Sequence, residues 1–145
     1  MNAIVVGTDG SPGAEAAVQQ VIELARGGGG AVHLVCAYPA KSALERIGMT
    51  ARQDPTDLRG VAADVLARDE RRFVEAGFTV HKHVREGDAA HVIIDVAGEH
   101  GADMIVVGAR GSTGLRRFML GSVAGKLAHH APTSLLIVRE AEGAA

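Results

Sequence analysis

The sequence predicts an α/β protein in which a parallel sheet carries helices on both faces. Two observations lead there. Short apolar runs rich in Val and Ile alternate with stretches of helical periodicity, in the order β-α-β-α-β-α-β-α-β. Most of those runs are continuous rather than alternating, as expected of strands buried on both sides. At 145 residues the chain is long enough for one real core, and residues 1–145 are read as a single domain without linker or internal repeat.

Each element follows from its residues. Ala3-Ile4-Val5-Val6, ended by Gly7, is the first strand. Ala14, Ala17, Val18, Val21, Ile22 and Ala25 then mark one face of a helix. Gly27 to Gly30 stop that helix; lying after a helix and before a strand, they read as a C-cap and turn. Ala31 to Ala37 form the second strand. Pro39 to about Thr56 lack clean periodicity and read as a long loop with one helical turn in it. Leu58, Val61, Ala62, Val65 and Leu66 open a second helix that runs to about Ala76, with the charges from Arg68 to Glu75 on its solvated face. Phe78 to Val84 alternate, which predicts a strand with one wetter face at a sheet edge. Ala90, Ile93, Ile94 and Ala97 belong to a helix capped by Asp88. Met104 to Val107 and Leu135 to Val138 are the last two strands, around a short helix starting near Val123; Glu140 to Ala145 read as a frayed tail.

Composition excludes several classes. The formal net charge of -2 gives no reason to expect nucleic acid or an anionic membrane as partner. No apolar run approaches the ~18 residues of a membrane span, and no signal peptide is read at the N-terminus. The single cysteine, Cys36, cannot form an internal disulfide and reads as a small core residue. A cytoplasmic protein is expected.

The residues that point to a ligand stand at two strand ends. Gly7-Thr8-Asp9-Gly10-Ser11 follows the first strand and offers a carboxylate for a ribose or an adenine amino group. Gly108-Ala109-Arg110-Gly111 follows the fourth and offers close backbone approach and a cation. These glycines continue as G-x2-G-x9-G-S into Gly121-Ser122, which adds a helix N-terminus with a hydroxyl at the N-cap, both suited to phosphate oxygens. A carboxylate for sugar or base, opposite amides and an arginine for phosphate, is what a nucleotide requires.

With those residues in view, the chain resembles the universal stress proteins of the nucleotide-binding type over nearly its whole length. The resemblance rests on Ile4 to Ser11, Gly87-Asp88, Val106 to Gly111, Leu120 to Val123 and His130-Ala131-Pro132. It implies a three-layer α/β/α fold, Rossmann-like and akin to the adenine nucleotide alpha hydrolases, with a five-stranded parallel sheet in the order 3-2-1-4-5. It further implies ATP between strands 1 and 4. By motif, Thr8 and Asp9 fall at the nucleotide, with Asp9 on base or ribose, and Ala37 would meet adenine through its backbone. Gly108, Arg110 and Gly111 would line ribose and phosphates, and Gly121, Ser122 and Val123 would hold the phosphate tail. Strand 5 becomes an edge, and its apolar Leu135, Leu136, Ile137 and Val138 invite a homodimer, which the resemblance also implies. Ser134 stands where relatives often carry a second proline.

Plainer readings stand beside these. Asp9 also suits a helix cap, Gly108 and Gly111 suit ordinary turns, and Arg110 suits a solvated loop. Gly121 to Lys126 is no P-loop, because only three residues separate its glycines and Leu127 follows the lysine. His81 and His83 share a strand face but lack a third ligand in sequence, so they read as surface residues, while His129 and His130 suit a helix C-terminus. Two function classes remain: a regulatory, stress-response binder of ATP, with Mg²⁺ riding on the phosphates, or a slow ATPase. AMP or cyclic AMP would fit the same groups. No general base or nucleophile is evident opposite the phosphates.

Overall fold

A computed structural model describes residues 2–28, 30–46, 48, 55–111 and 120–141. In chain order the elements are β1 (Ala3–Gly7), α1 (Pro12–Leu24), β2 (Ala31–Tyr38), α2 (Lys41–Arg46), α3 (Pro55–Glu75), β3 (Thr79–Glu86), α4 (Ala89–Glu99), β4 (Met104–Gly108), α5 (Ser122–His130) and β5 (Ser134–Val138). The five strands form one sheet in the order β3-β2-β1-β4-β5, with every pair parallel. The order reverses between β1 and β4, so a crevice opens beyond their carboxyl ends.

Strand residues alternate between two cores. Val6, Leu34, Cys36 and Val106 face α1 and α3, where Val18, Leu66 and Phe73 are buried. Val5, Val35, Ile105 and Val107 face α4 and α5, where Ile93, Val96 and Leu127 are buried. Phe73 is fully buried with its ring edge-on to Phe78 at 5.5 Å. Truncating it to alanine would cost about 3–5 kcal/mol, a large part of a domain's stability.

Helix starts follow their side chains. Ser11 caps α1, its Oγ accepting from the Ala14 N–H at 3.3 Å, with Pro12 as the first helical residue. Asp88 caps α4 by accepting from the His91 N–H at 3.2 Å. At α5 the expected hydroxyl cap is absent: Gly121 is the N-cap and Ser122 already lies inside the helix. The segment from Pro39 is more ordered than its pattern predicts, with six helical residues in α2, and α3 begins at Pro55 rather than Leu58. The rest of that loop, 47 and 49–54, lies outside the described residues, as do 112–119 within the glycine pattern and 142–145 of the tail.

The two sheet edges differ. β3 is polar, with half of its residues exposed and half partly buried, and it stands at the edge its alternation predicts. β5 carries Leu135, Leu136 and Ile137 half-buried. No helix among the described residues is long and apolar enough to cross a membrane.

Candidate functional site

A cleft opens at the β1–β4 reversal. Thr8, Asp9, Ala37, Gly108, Arg110, Gly111, Gly121, Ser122 and Val123 all line it. Val35, Ile93, Val107 and Ala124 add an apolar floor, and Ala89 brings in the start of α4. The floor residues carry no distinctive motif; only their alternation along β2, β4 and the α4 face would have indicated them. The two glycine loops are tied together by the Gly121 N–H, which donates to the Ala109 carbonyl at 2.7 Å. Among the described residues no side chain caps α5, so its first turn presents backbone N–H groups beside the cleft.

The glycines differ in what they do. A Cβ on Gly108 would lie 2.6 Å from the Gly13 carbonyl oxygen and 3.2 Å from the Ala14 nitrogen. Gly13 is equally confined, since its Cβ would run into the Arg110 carbonyl oxygen. This mutual close approach locks the end of β4 onto the start of α1, so Gly108 serves the fold before any ligand. Gly111 lies against Asp9, whose Oδ2 would be 2.9 Å from an added Cβ. Gly121 has ordinary room, its nearest neighbours being 3.4–3.5 Å from such a Cβ.

The charged groups are held in place. Asp9 is exposed and its Oδ1 accepts from the Ser11 N–H at 2.9 Å, so it shapes the turn while Ser11 does the capping. Arg110 faces Glu140 at 3.7 Å, which makes it an ion-paired cation rather than a solvated one. Lys126 bonds Asp88 at 2.7 Å, and that bond holds the Asp88 carboxyl below its ordinary value. Thr8 turns its hydroxyl inward, donating to Asp69 Oδ2 at 2.7 Å.

Asp69 corrects the reading of α3. It lies within the charged stretch assigned to a solvated face, yet it is fully buried. Its Oδ1 makes no hydrogen bond, and Arg68 Nε stands 3.6 Å away. Arg68 also reaches the Gly10 carbonyl, so the stretch clamps α3 onto the turn after β1. Below it, burial and the Asp9 and Asp69 carboxylates push the Cys36 thiol up to about 11, consistent with a core residue that stays protonated.

The histidines are the second correction. His81 and His83 do find partners: His33 of β2 and His100, the C-cap of α4. His33 is buried and stacks on His81 at 4.8 Å and on His100 at 4.2 Å, and its Nδ1 is 3.0 Å from His83 Nε2. Burial, with His100, His83 and His81 alongside, lowers the His33 pKa to about 4, and burial also lowers that of His83. Both rings are neutral near pH 7. The register of β2 and β3, which sets His33 opposite His81, is the signal that could have revealed the cluster.

The sequence profile of the universal stress protein family matches residues 1–139. Universal stress protein MJ0531 of Methanocaldococcus jannaschii is 28% identical, the match covering 94% of this chain and 81% of the relative. Among solved structures, the hypothetical protein MJ0577 superposes with a TM-score of 0.85 at 22% identity, over 98% of both chains. A universal stress protein in complex with cyclic AMP superposes with a TM-score of 0.69 at 25% identity, over 95% and 96%. Related folds from Arabidopsis thaliana, with AMP, and Archaeoglobus fulgidus, with dAMP, give TM-scores of 0.71 and 0.70 at 16% and 24% identity, over 98% and 95% of this chain and 94% and 97% of theirs. The profile match runs through all five strands and the loops that make the cleft; the chain belongs to the universal stress protein family.

Proposed function

We propose that this chain is a regulatory protein that binds an adenine nucleotide, ATP in the first instance, in the cleft beyond β1 and β4. The observation that carries this is the meeting of three chemistries in one crevice: the Asp9 carboxylate, an apolar floor and a helix N-terminus. Asp9 would take the ribose or the adenine amino group. The purine would lie over Val35, Ala37 and Ile93, its edge meeting the Ala37 backbone. Gly111, Arg110 and the first turn of α5, from Gly121 through Ser122 to Val123, would hold the phosphates. Mg²⁺ would ride on them, through Asp9 or its own waters.

A single-phosphate ligand is the second reading. It is supported by the relative solved with cyclic AMP and by the Glu140 that already faces Arg110, which reduces the positive charge offered to a longer tail. Nucleotide released from purified protein and weighed by mass spectrometry separates ATP from AMP and cyclic AMP. Absence of any calorimetric binding at millimolar adenine nucleotide would end the proposal. Sustained ATP turnover lost in Asp9→Ala would make the protein an ATPase instead.

The β5 edge is proposed to pair with a second copy. Leu135, Leu136 and Ile137 remain half-buried there, and Val138 is buried at the strand's end. Light scattering should find a dimer that Ile137→Lys converts to monomer. The cytoplasm is the proposed location.

A further inference from the structure

Four of the seven histidines gather where β2, β3 and the end of α4 meet, away from the cleft. Three of them, His33, His83 and His100, each offer one ring nitrogen, and these atoms lie within 4.8 Å of one another. We propose that this triad binds one divalent transition-metal ion of the zinc class.

The donors fit that class. Three imidazole nitrogens without a carboxylate suit Zn²⁺ and its late first-row neighbours, and are a poor match for Mg²⁺ or Ca²⁺, which select oxygen. Metal–nitrogen bonds of ~2.0–2.1 Å at tetrahedral angles put ligand atoms about 3.3 Å apart. His33 and His83 are already at 3.0 Å, so the remaining closure falls mainly to His100. That residue is exposed at a helix cap and turns with little hindrance.

The triad also grades outward: His33 is buried, His83 intermediate and His100 exposed, which gives the ion a path from solvent. Outside it, His81 stacks on His33 and fixes that ring. Glu99 lies nearby but is paired with Arg85 at 2.7 Å, so those two charges largely cancel and the imidazoles themselves hold the cation. Three protein ligands leave a fourth position for water, so the site is open rather than closed. The ion would staple the edge strand β3 to β2 and α4.

Chelator-treated full-length protein should be titrated with Zn²⁺, and with Co²⁺ for its visible absorption. The expected result is one ion per chain with micromolar affinity, intense bands of tetrahedral Co²⁺ and a Tm raised by several degrees. H100Q, at an exposed position that leaves the fold intact by circular dichroism, should weaken binding at least tenfold, and H83Q likewise. The H129Q/H130Q variant, altered at the end of α5, should bind as the unmodified chain does. Absence of saturable one-to-one binding, or affinity unchanged in H83Q and H100Q, would overturn the proposal.

Discussion

The two ends of α4 meet two different kinds of site. At its start, Ala89 and Ile93 join a cleft in which glycine-bearing loops after β1 and β4 stand over an apolar floor. At its end, His100 joins a cluster made of side chains, drawn from β2, β3 and the helix cap. A site of the first kind leaves a mark in sequence, because only glycine permits the close approaches and the glycines must keep their spacing. A site of the second kind leaves none, because its members are 50 and 17 residues apart and meet through register alone.

The contrast is broken most sharply at Gly108. Its Cβ would intrude on the Gly13 backbone, which no rotamer change relieves. Gly108→Val should therefore cost more than about 3 kcal/mol and lower Tm by well over ten degrees, if folded protein is recovered at all. Thermal melts by circular dichroism measure this. Loss of nucleotide binding with an unchanged melt would instead make Gly108 a ligand residue, as its motif alone suggests.

Thr8 comes next. Its hydroxyl is the hydrogen-bond donor to Asp69 Oδ2, and Asp69 is wholly buried with its other oxygen already unbonded. Thr8→Val keeps the shape and removes the donor, so a loss of about 1–3 kcal/mol is expected in denaturant unfolding. Thr8→Ser should recover most of it.

At the histidine end, pH takes the place of a steric clash. The His33 pKa falls from 6.5 to about 4 on folding, through burial first and then through His100, His83 and His81; Arg85 and Glu99 stand nearby. The unfolded chain thus binds more protons between those values, and stability rises with pH across that window. The stabilisation is complete above about pH 6.5 and is lost as pH falls toward 4, with Tm dropping by several degrees. Asp88 and Asp103, both held below the ordinary value of 3.8, act in a more acidic range and do not mask it. In metal-free protein, melts of His33→Gln should show a flatter slope from pH 6.5 to 4.

These cases show what the sequence could and could not disclose. The alternation of strands and helices and the edge position of β3 were legible, because continuous and alternating apolar runs are local patterns; the strand order came only through the family resemblance, and the nine residues named for a ligand line one cleft. Asp69 was not, since a carboxylate among Arg68, Glu70 and Arg71 looks solvated until α3 is seen lying over Thr8. The missing hydroxyl cap of α5 was not legible either: Gly121 and Ser122 both suit an N-cap, and only the path of the chain chooses between them.

Gly121 gives the smallest effect on stability and the cleanest reading of the cleft. Its backbone angles, φ −63° and ψ 166°, suit any residue, and an added Cβ meets only ordinary contacts with Ala109, Arg110 and Gly111. Gly121→Val should thus cost no more than about 1–2 kcal/mol, from a poorer N-cap and some crowding. The same methyl groups stand between the α5 N-terminus and the Ala109–Gly111 loop, where the phosphates are proposed to lie. Nucleotide affinity should fall at least tenfold while the melt moves only a few degrees. Calorimetry beside circular dichroism reads both, and the pair separates the two glycines: Gly108→Val acts on the melt, Gly121→Val on the titration. Equal loss of stability in both variants would mean that the motif is structural throughout and that the cleft's phosphate end has been misassigned.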